Sequence, residues 1–92
     1  MDYRIVYGRH MEGDTDKLSS EYRKRLKLAI EAKLSINPLI FSKPLRGSLK
    51  NYRSLRIGDY RLGFRMEKNT LYIIGIIHRS KAYEELLKRI NN

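Results

Sequence analysis

Two runs of strand-forming residues, Tyr52–Ile57 and Tyr60–Met66, are separated by the dipeptide Gly58-Asp59. That spacing constrains the chain more than any other feature. A two-residue loop with glycine first is the turn of a tight antiparallel hairpin, because its twist matches that of the strands it joins. The loop also sets the register: Ile57 pairs with Tyr60, Arg56 with Arg61, Leu55 with Leu62, Arg53 with Phe64 and Tyr52 with Arg65. Side chains alternate between faces along a strand. Leu55, Ile57, Tyr60, Leu62, Phe64 and Met66 therefore share an apolar face, and Arg56, Arg61 and Arg65 share the other.

Tyr3-Arg4-Ile5-Val6-Tyr7 is rich in β-formers and reads as a first strand. Gly8 to Lys17 is polar and reads as a loop with room for one helical turn. Ser19 or Ser20 can cap the next helix. Tyr22, Leu26, Ala29, Ile30 and Leu34 fall at helical spacing on one face of it. Asn37-Pro38 ends it, since the residue before proline avoids the α region. Leu39 to Leu49, punctuated by Pro44 and Gly47, is a connection. After the hairpin, Glu67-Lys68-Asn69-Thr70 is a turn, and Leu71–Ile77, apolar on both faces, should be the most buried strand. Ser80 can cap a last helix, with Glu84 and Glu85 in its first turn and Tyr83, Leu86, Leu87 and Ile90 on its apolar stripe. The expected fold is α+β: a small antiparallel, or mixed, sheet of about four strands, an N-terminal helical segment packed on it, and a short C-terminal helix. Residues 1–92 are too few for a second core and form a single domain.

The chain has no cysteine, so disulfides and thiolate-bound metal are excluded. It shows neither a membrane-length apolar run nor the apolar stretch of a signal peptide, and a cytoplasmic location is expected. Charge narrows the function further. Twenty Lys and Arg against ten Asp and Glu give a net charge of +10, which suits nucleic acid, an anionic membrane or an acidic protein partner. The excess is focused. Lys43, Arg46, Lys50, Arg53, Arg56, Arg61 and Arg65 lie within one stretch whose only acid is Asp59.

Like charges directly opposite in a sheet destabilise it, so Arg56 facing Arg61, with Arg65 two positions along, is unfavourable for folding. Two explanations fit. One is an anion site, since the planar arginine fork matches phosphate oxygens two at a time. The other is a solvated strand face whose arginines serve solubility. Gly63, between Arg61 and Arg65, would let a ligand backbone approach closely. His78-Arg79 ends the buried strand near the sheet rim. His78 is either a proton shuttle near neutral pH or a satisfied structural histidine. Tyr83 is a site residue, an anchor for the last helix, or both, having an apolar body and a polar tip. No cofactor motif and no His/Asp/Glu cluster with metal-ligand spacing occurs. Arginine, lysine and tyrosine suit phosphoryl transfer on RNA, where the 2′-hydroxyl is a built-in nucleophile. The protein then needs to align that hydroxyl, neutralise the phosphate and protonate the leaving oxygen.

Lys43-Pro44-Leu45-Arg46-Gly47, then Tyr52 through Arg61, then His78-Arg79 and Tyr83 resemble the running signature of the RelE/ParE toxins. The hairpin from Arg56 to Arg61 is its most specific part. The resemblance covers nearly the whole chain and is weakest just after the first strand. It implies the toxin of a type II toxin–antitoxin system, of the RelE-like kind: a metal-independent, cofactor-free endoribonuclease that cuts mRNA in the ribosomal A site. Attack by the 2′-hydroxyl would leave a 2′,3′-cyclic phosphate and a 5′-hydroxyl. It also implies a cognate acidic antitoxin, with the ribosome and mRNA as the other partners. Carried over residue by residue, Arg61 stabilises the scissile phosphate, Arg79 donates a proton or contacts phosphate, and Tyr83 contacts the base or the nucleophile. Arg56 and His78 complete the expected catalytic set, and Lys43, Arg46, Lys50, Arg53 and Arg65 are the expected RNA contacts. The best-known nuclease of the family has a lysine pair on the strand where this chain has Arg53 and Arg56, with a spacing that differs by about one residue. That leaves the general base open between Tyr83 and His78. It also suits the alternative of a ParE-like DNA gyrase inhibitor, which shares the fold and lacks nuclease activity.

Overall fold

The computed structural model describes residues 2–45 and 51–91. Within them run β1 (Arg4–Tyr7), α1 (Met11–Asp16), α2 (Ser20–Ala29), a π-helical turn (Ile30–Leu34), α3 (Pro38–Phe41), β2 (Lys43–Pro44), β3 (Tyr52–Ile57), β4 (Tyr60–Glu67), β5 (Thr70–His78) and α4 (Ala82–Asn91). The strands form one sheet in the order β1-β5-β4-β3-β2. β1 runs parallel to β5 and the other neighbours are antiparallel, so the fold is α+β with a mixed sheet. A fifth strand, the two-residue β2, lies inside what reads from sequence as a connection. The β3–β4 hairpin has the register its turn requires, with Arg56 opposite Arg61 and Tyr52 opposite Arg65. Gly58 sits at φ 58°, the positive value that a glycine-first turn demands.

α2 and its π-helical continuation cover one face of the sheet. Their Leu26, Ala29, Ile30 and Leu34 join Leu55, Leu62, Phe64, Leu71 and Ile73 in the buried core. Ser19 caps α2, its Oγ accepting from the Tyr22 N–H at 3.2 Å. Asn37-Pro38 does more than end a helix: it starts α3. Asn37 Oδ1 accepts from the Ile40 N–H at 3.4 Å, and Pro38 takes an early helical position where its missing N–H is harmless. The segment after β1 is helical because Met11 and Asp14, one turn apart, are both buried.

α4 packs on the other face, and two glycines let it in. A Cβ on Gly63 would lie 2.5 Å from Leu86 Cδ2, and one on Gly75 would collide with the Arg89 guanidinium. Gly63 therefore makes room for Leu86 and not, as its place between two arginines suggested, for a ligand backbone. Ser80 is not engaged as expected at the start of α4 either, because its hydroxyl meets His78 Nδ1 at 2.9 Å. β5 carries a bulge. Phe64 pairs with Ile73 but Gly63 pairs with Gly75, which leaves Ile74 as the extra residue. The shift turns Ile76 to the core and Gly75 to α4. Beside the bulge, Asp14 Oδ2 accepts from the Ile76 N–H at 3.0 Å. The same carboxylate holds Arg89, with Nη1 to Oδ2 at 2.7 Å and Nη2 to Oδ1 at 3.0 Å. One ion pair thus joins α1, β5 and α4. Among the described residues, no helix is long and apolar enough to cross a membrane.

Candidate functional site

Lys43, Ser54, Gly63 and Gly75 are successive partners across β2, β3, β4 and β5. They form a row on the face that α4 covers. The glycine end of the row lies under α4. At the other end, β2, β3, β4 and the first turns of α4 enclose a cleft of about 410 Å³. Lys43, Ser54 and Arg61 line it from the sheet, and Ala82, Tyr83 and Leu86 from the helix.

Arg61 Nη1 donates to Ser54 Oγ at 3.3 Å. Ser54 is only 5% exposed, so it fixes one end of the guanidinium and leaves the remaining donors to face the cleft. No carboxylate among the described residues makes an ion pair with Arg61. Tyr83 is 45% exposed, whereas Ala82 and Leu86 are each 1% exposed. Those two anchor α4, and Tyr83 is left to form a wall of the cleft.

Arg56 and Arg61 are register partners whose side chains lean apart. Arg56 Nε reaches forward to Gly58 O at 3.1 Å, while Arg61 reaches back to Ser54. The divergence lessens the repulsion between two like charges set opposite one another. Arg79 stands at the same turn as Arg56. Its N–H donates to Asp59 O at 2.7 Å, and its Nε lies 3.9 Å from Asp59 Oδ1.

The other sequence-derived residues are placed elsewhere. Arg65 pairs with Glu67 and lies 4.4 Å over the Tyr72 ring. Arg53 belongs by register to the apolar face, opposite Phe64. Its guanidinium donates to Ser42 Oγ at 2.7 Å and Ser42 O at 2.9 Å, which ties β3 to the end of α3. His78 lines a different cleft, with Tyr60 and Ser80. Its Nδ1 accepts from the Ser80 N–H at 3.2 Å, so a neutral His78 carries its proton on Nε2. Arg46 and Lys50 lie outside the described residues. The structure thus brings Lys43, Arg61 and Tyr83 into one cleft and gathers Arg56 and Arg79 at the hairpin turn. It separates Arg53 and Arg65 from both, and leaves His78 beside the turn, opposite Tyr60, but lining a different cleft from Arg61. Sequence reasoning missed Ser54, although strand alternation puts it on the face of Arg56 and opposite Gly63.

Chemically, the cleft pairs a fixed guanidinium and an ammonium with a phenol. Such a set stabilises developing negative charge well. It is poorly equipped to remove a proton, because guanidinium and ammonium groups are donors without a free lone pair and a phenol is a weak acceptor.

The family described as the ParE toxin of the type II toxin–antitoxin system parDE matches residues 5–83. Toxin RelE3 of Methanocaldococcus jannaschii is 27% identical over 85 residues, which cover 88% of this chain and 96% of that protein. The toxin–antitoxin complex RelBE2 from Mycobacterium tuberculosis contains a chain 30% identical to this one, with a TM-score of 0.78, covering 86% of this chain and 100% of its own. A mutant of the E. coli toxin RelE in the free state shares the fold, with a TM-score of 0.74 at 24% identity over 98% of this chain and 99% of its own.

Proposed function

The chain belongs to the ParE toxin family of type II toxin–antitoxin systems, and from that premise we propose that it is a ribosome-dependent endoribonuclease acting on mRNA in the A site. The observation that carries this reading is Arg61, clamped by Ser54 in a cleft walled by Tyr83. In the proposed reaction the 2′-hydroxyl oxygen attacks the adjacent phosphorus and loses its proton. The bond to the 5′-oxygen breaks, and that oxygen takes up a proton. The products are a 2′,3′-cyclic phosphate and a 5′-hydroxyl. Arg61 neutralises the charge that builds on the phosphate oxygens, Lys43 holds a neighbouring phosphate, and Tyr83 orients the nucleotide. Arg79, at the turn, serves the leaving group or an adjacent phosphate.

The weak proton acceptors in the cleft argue that alignment supplies much of the catalysis. Alignment of an mRNA is what a ribosome offers. Expression in cells, followed by primer extension on abundant messages, should give cuts at fixed codon positions that vanish when translation initiation is blocked. The purified protein should cut naked RNA slowly, and EDTA should not alter the rate, since the described cleft lining has no carboxylate to hold a divalent cation. Vigorous cleavage of naked RNA, or loss of activity with chelator, would contradict the reading. A second reading, inhibition of DNA gyrase, draws support from the match to the ParE family. On that reading the protein blocks supercoiling and leaves messages intact.

The solved RelBE2 relative is a toxin–antitoxin complex, and an acidic antitoxin is the partner proposed here. It would offset the net charge of +10 and raise the melting temperature by binding only the folded state. Calorimetric titration against the product of the adjacent reading frame should show affinity that falls as salt rises. Salt-insensitive binding would assign the contact to apolar surface instead.

A further inference from the structure

Three arginines from three separate elements converge on the two-residue β3–β4 turn. Arg56, from β3, donates Nε to Gly58 O at 3.1 Å. Arg79, after β5, stands against Asp59 through its backbone N–H at 2.7 Å. The third, Arg25, comes from α2 on the opposite face of the sheet and belongs to no motif in the sequence. Its guanidinium carbon lies 4.9 Å from the centre of the Tyr22 ring, and Tyr22 Oη accepts from the Asp59 N–H at 3.2 Å. A Cβ on Gly58 would meet Tyr22 Oη at 2.6 Å and Arg25 Nη1 at 3.0 Å. Glycine at 58 therefore serves the turn's positive φ and also lets Arg25 reach it.

We propose that this turn is a second anion-binding surface, outside the cleft, where Arg25, Arg56 and Arg79 hold the phosphate backbone of folded RNA. The proposal rests on the ribosomal reading above and names the surface that would seat the protein on ribosomal RNA. Asp59 is the one acid at the turn, and it is already shared with Arg79 at 3.9 Å. Neither Arg25 nor Arg56 makes an ion pair with a carboxylate among the described residues. Each is oriented instead, Arg25 by an aromatic face and Arg56 by a backbone carbonyl, so ordering it on a ligand loses less entropy. The surface adjoins the cleft at the Arg56–Arg61 register pair, whose side chains lean to either side. While the cleft holds the message at Arg61, a ribosomal RNA backbone can run over the turn onto the α2 side, whereas a short acidic peptide would reach only part of it.

The test is ribosome binding by pelleting, which requires no cleavage, across a range of KCl concentrations. It uses the wild type, Arg25→Gln, Arg25→Lys and, as a control, Lys24→Gln, an exposed neighbour on the same helix. Melting curves establish that each variant is folded. Arg25→Gln should weaken binding on the order of tenfold and reduce the slope of log affinity against log salt by about one, as for a lost phosphate contact. Arg25→Lys should keep the slope and lose less affinity, while Lys24→Gln should resemble the wild type. If the wild type binds ribosomes and Arg25→Gln matches it in affinity and slope, the surface is not used and the nuclease reading stands. Equal losses in Arg25→Gln and Lys24→Gln would show diffuse charge rather than this turn. An Arg25→Gln variant impaired only toward the antitoxin would assign the turn to that partner. A wild type that does not bind ribosomes overturns the ribosomal reading, and this surface with it.

Discussion

Arg61→Ala should lose about 10²–10³ in cleavage rate, equivalent to roughly 3–4 kcal/mol of transition-state stabilisation, with little change in fold. The size follows from position. Among the described residues Arg61 is the one guanidinium lining the cleft, it is pre-oriented by Ser54, and it makes no ion pair. Its donors therefore meet a phosphate without first breaking an ion pair or moving far. The folding consequence is small because two effects oppose. Ser54 Oγ loses a bond worth about 1 kcal/mol, while Arg56 loses a like-charged neighbour across the hairpin. The melting temperature should stay within about 5 °C of the wild type. Arg61→Lys should be intermediate, since it keeps the charge and loses the fork. The measurement is single-turnover cleavage on programmed ribosomes, beside growth arrest on induction and a thermal melt. A fully toxic Arg61→Ala variant would remove Arg61 from the site.

Asp14→Ala should be strongly destabilising, by about 3 kcal/mol. The Asp14 and Arg89 side chains are 8% and 12% exposed. Removing the carboxylate leaves the Arg89 guanidinium with only Glu85 Oε2 and Ile74 O, each at 3.3 Å, and also orphans the Ile76 N–H at the β5 bulge. Such a loss is a large part of the stability of a domain this size, and Tm should fall on the order of 20 °C. Asp14→Asn keeps an acceptor for Ile76 and should lose less. Asp14→Ala combined with Arg89→Leu should recover part of the loss, because the poorly hydrated charge, held then only by the half-exposed Glu85, is gone. The hydrogen bond to Asp14 holds Arg89 above its ordinary pKa, against the opposing pull of burial. A raised folded pKa means that this stabilisation is present below the unfolded value and lost only as pH rises through the folded one. The arginine's share should therefore be constant between about pH 6 and 9. An Asp14→Ala variant that melts like the wild type would show that α4 is held by Leu86 and Ala82 alone.

The hairpin was legible because its determinants lie within a few residues of one another. A glycine able to adopt positive φ, followed by one residue and flanked by period-two runs, leaves one register available. That register already places Arg56 and Arg61 together, and it places Arg53 with Leu55 and Ile57. On that face Ser42 takes the Arg53 guanidinium, away from Arg56 and Arg61. The α2 stripe and the Ser19 cap were local in the same way.

The rest depended on partners far along the chain. Asp14 sits in a polar segment with no local signal, and its role exists only because Ile76 and Arg89 fold onto it from 62 and 75 positions away. The β5 bulge reverses simple alternation because Ile76 fills the core where Gly75 cannot, and Gly75 admits Arg89 where no side chain fits. Arg56 and Arg61 share a face by register, yet the turn carbonyl and Ser54 draw them apart, into two surfaces rather than one. Sequence determined which residues each strand and helix turns to each face, because backbone preference and periodicity act over a few residues. Tertiary structure alone decided which of those residues meet, because burial, ion pairing and close approach at glycine are energies between segments that become neighbours only when the chain is folded.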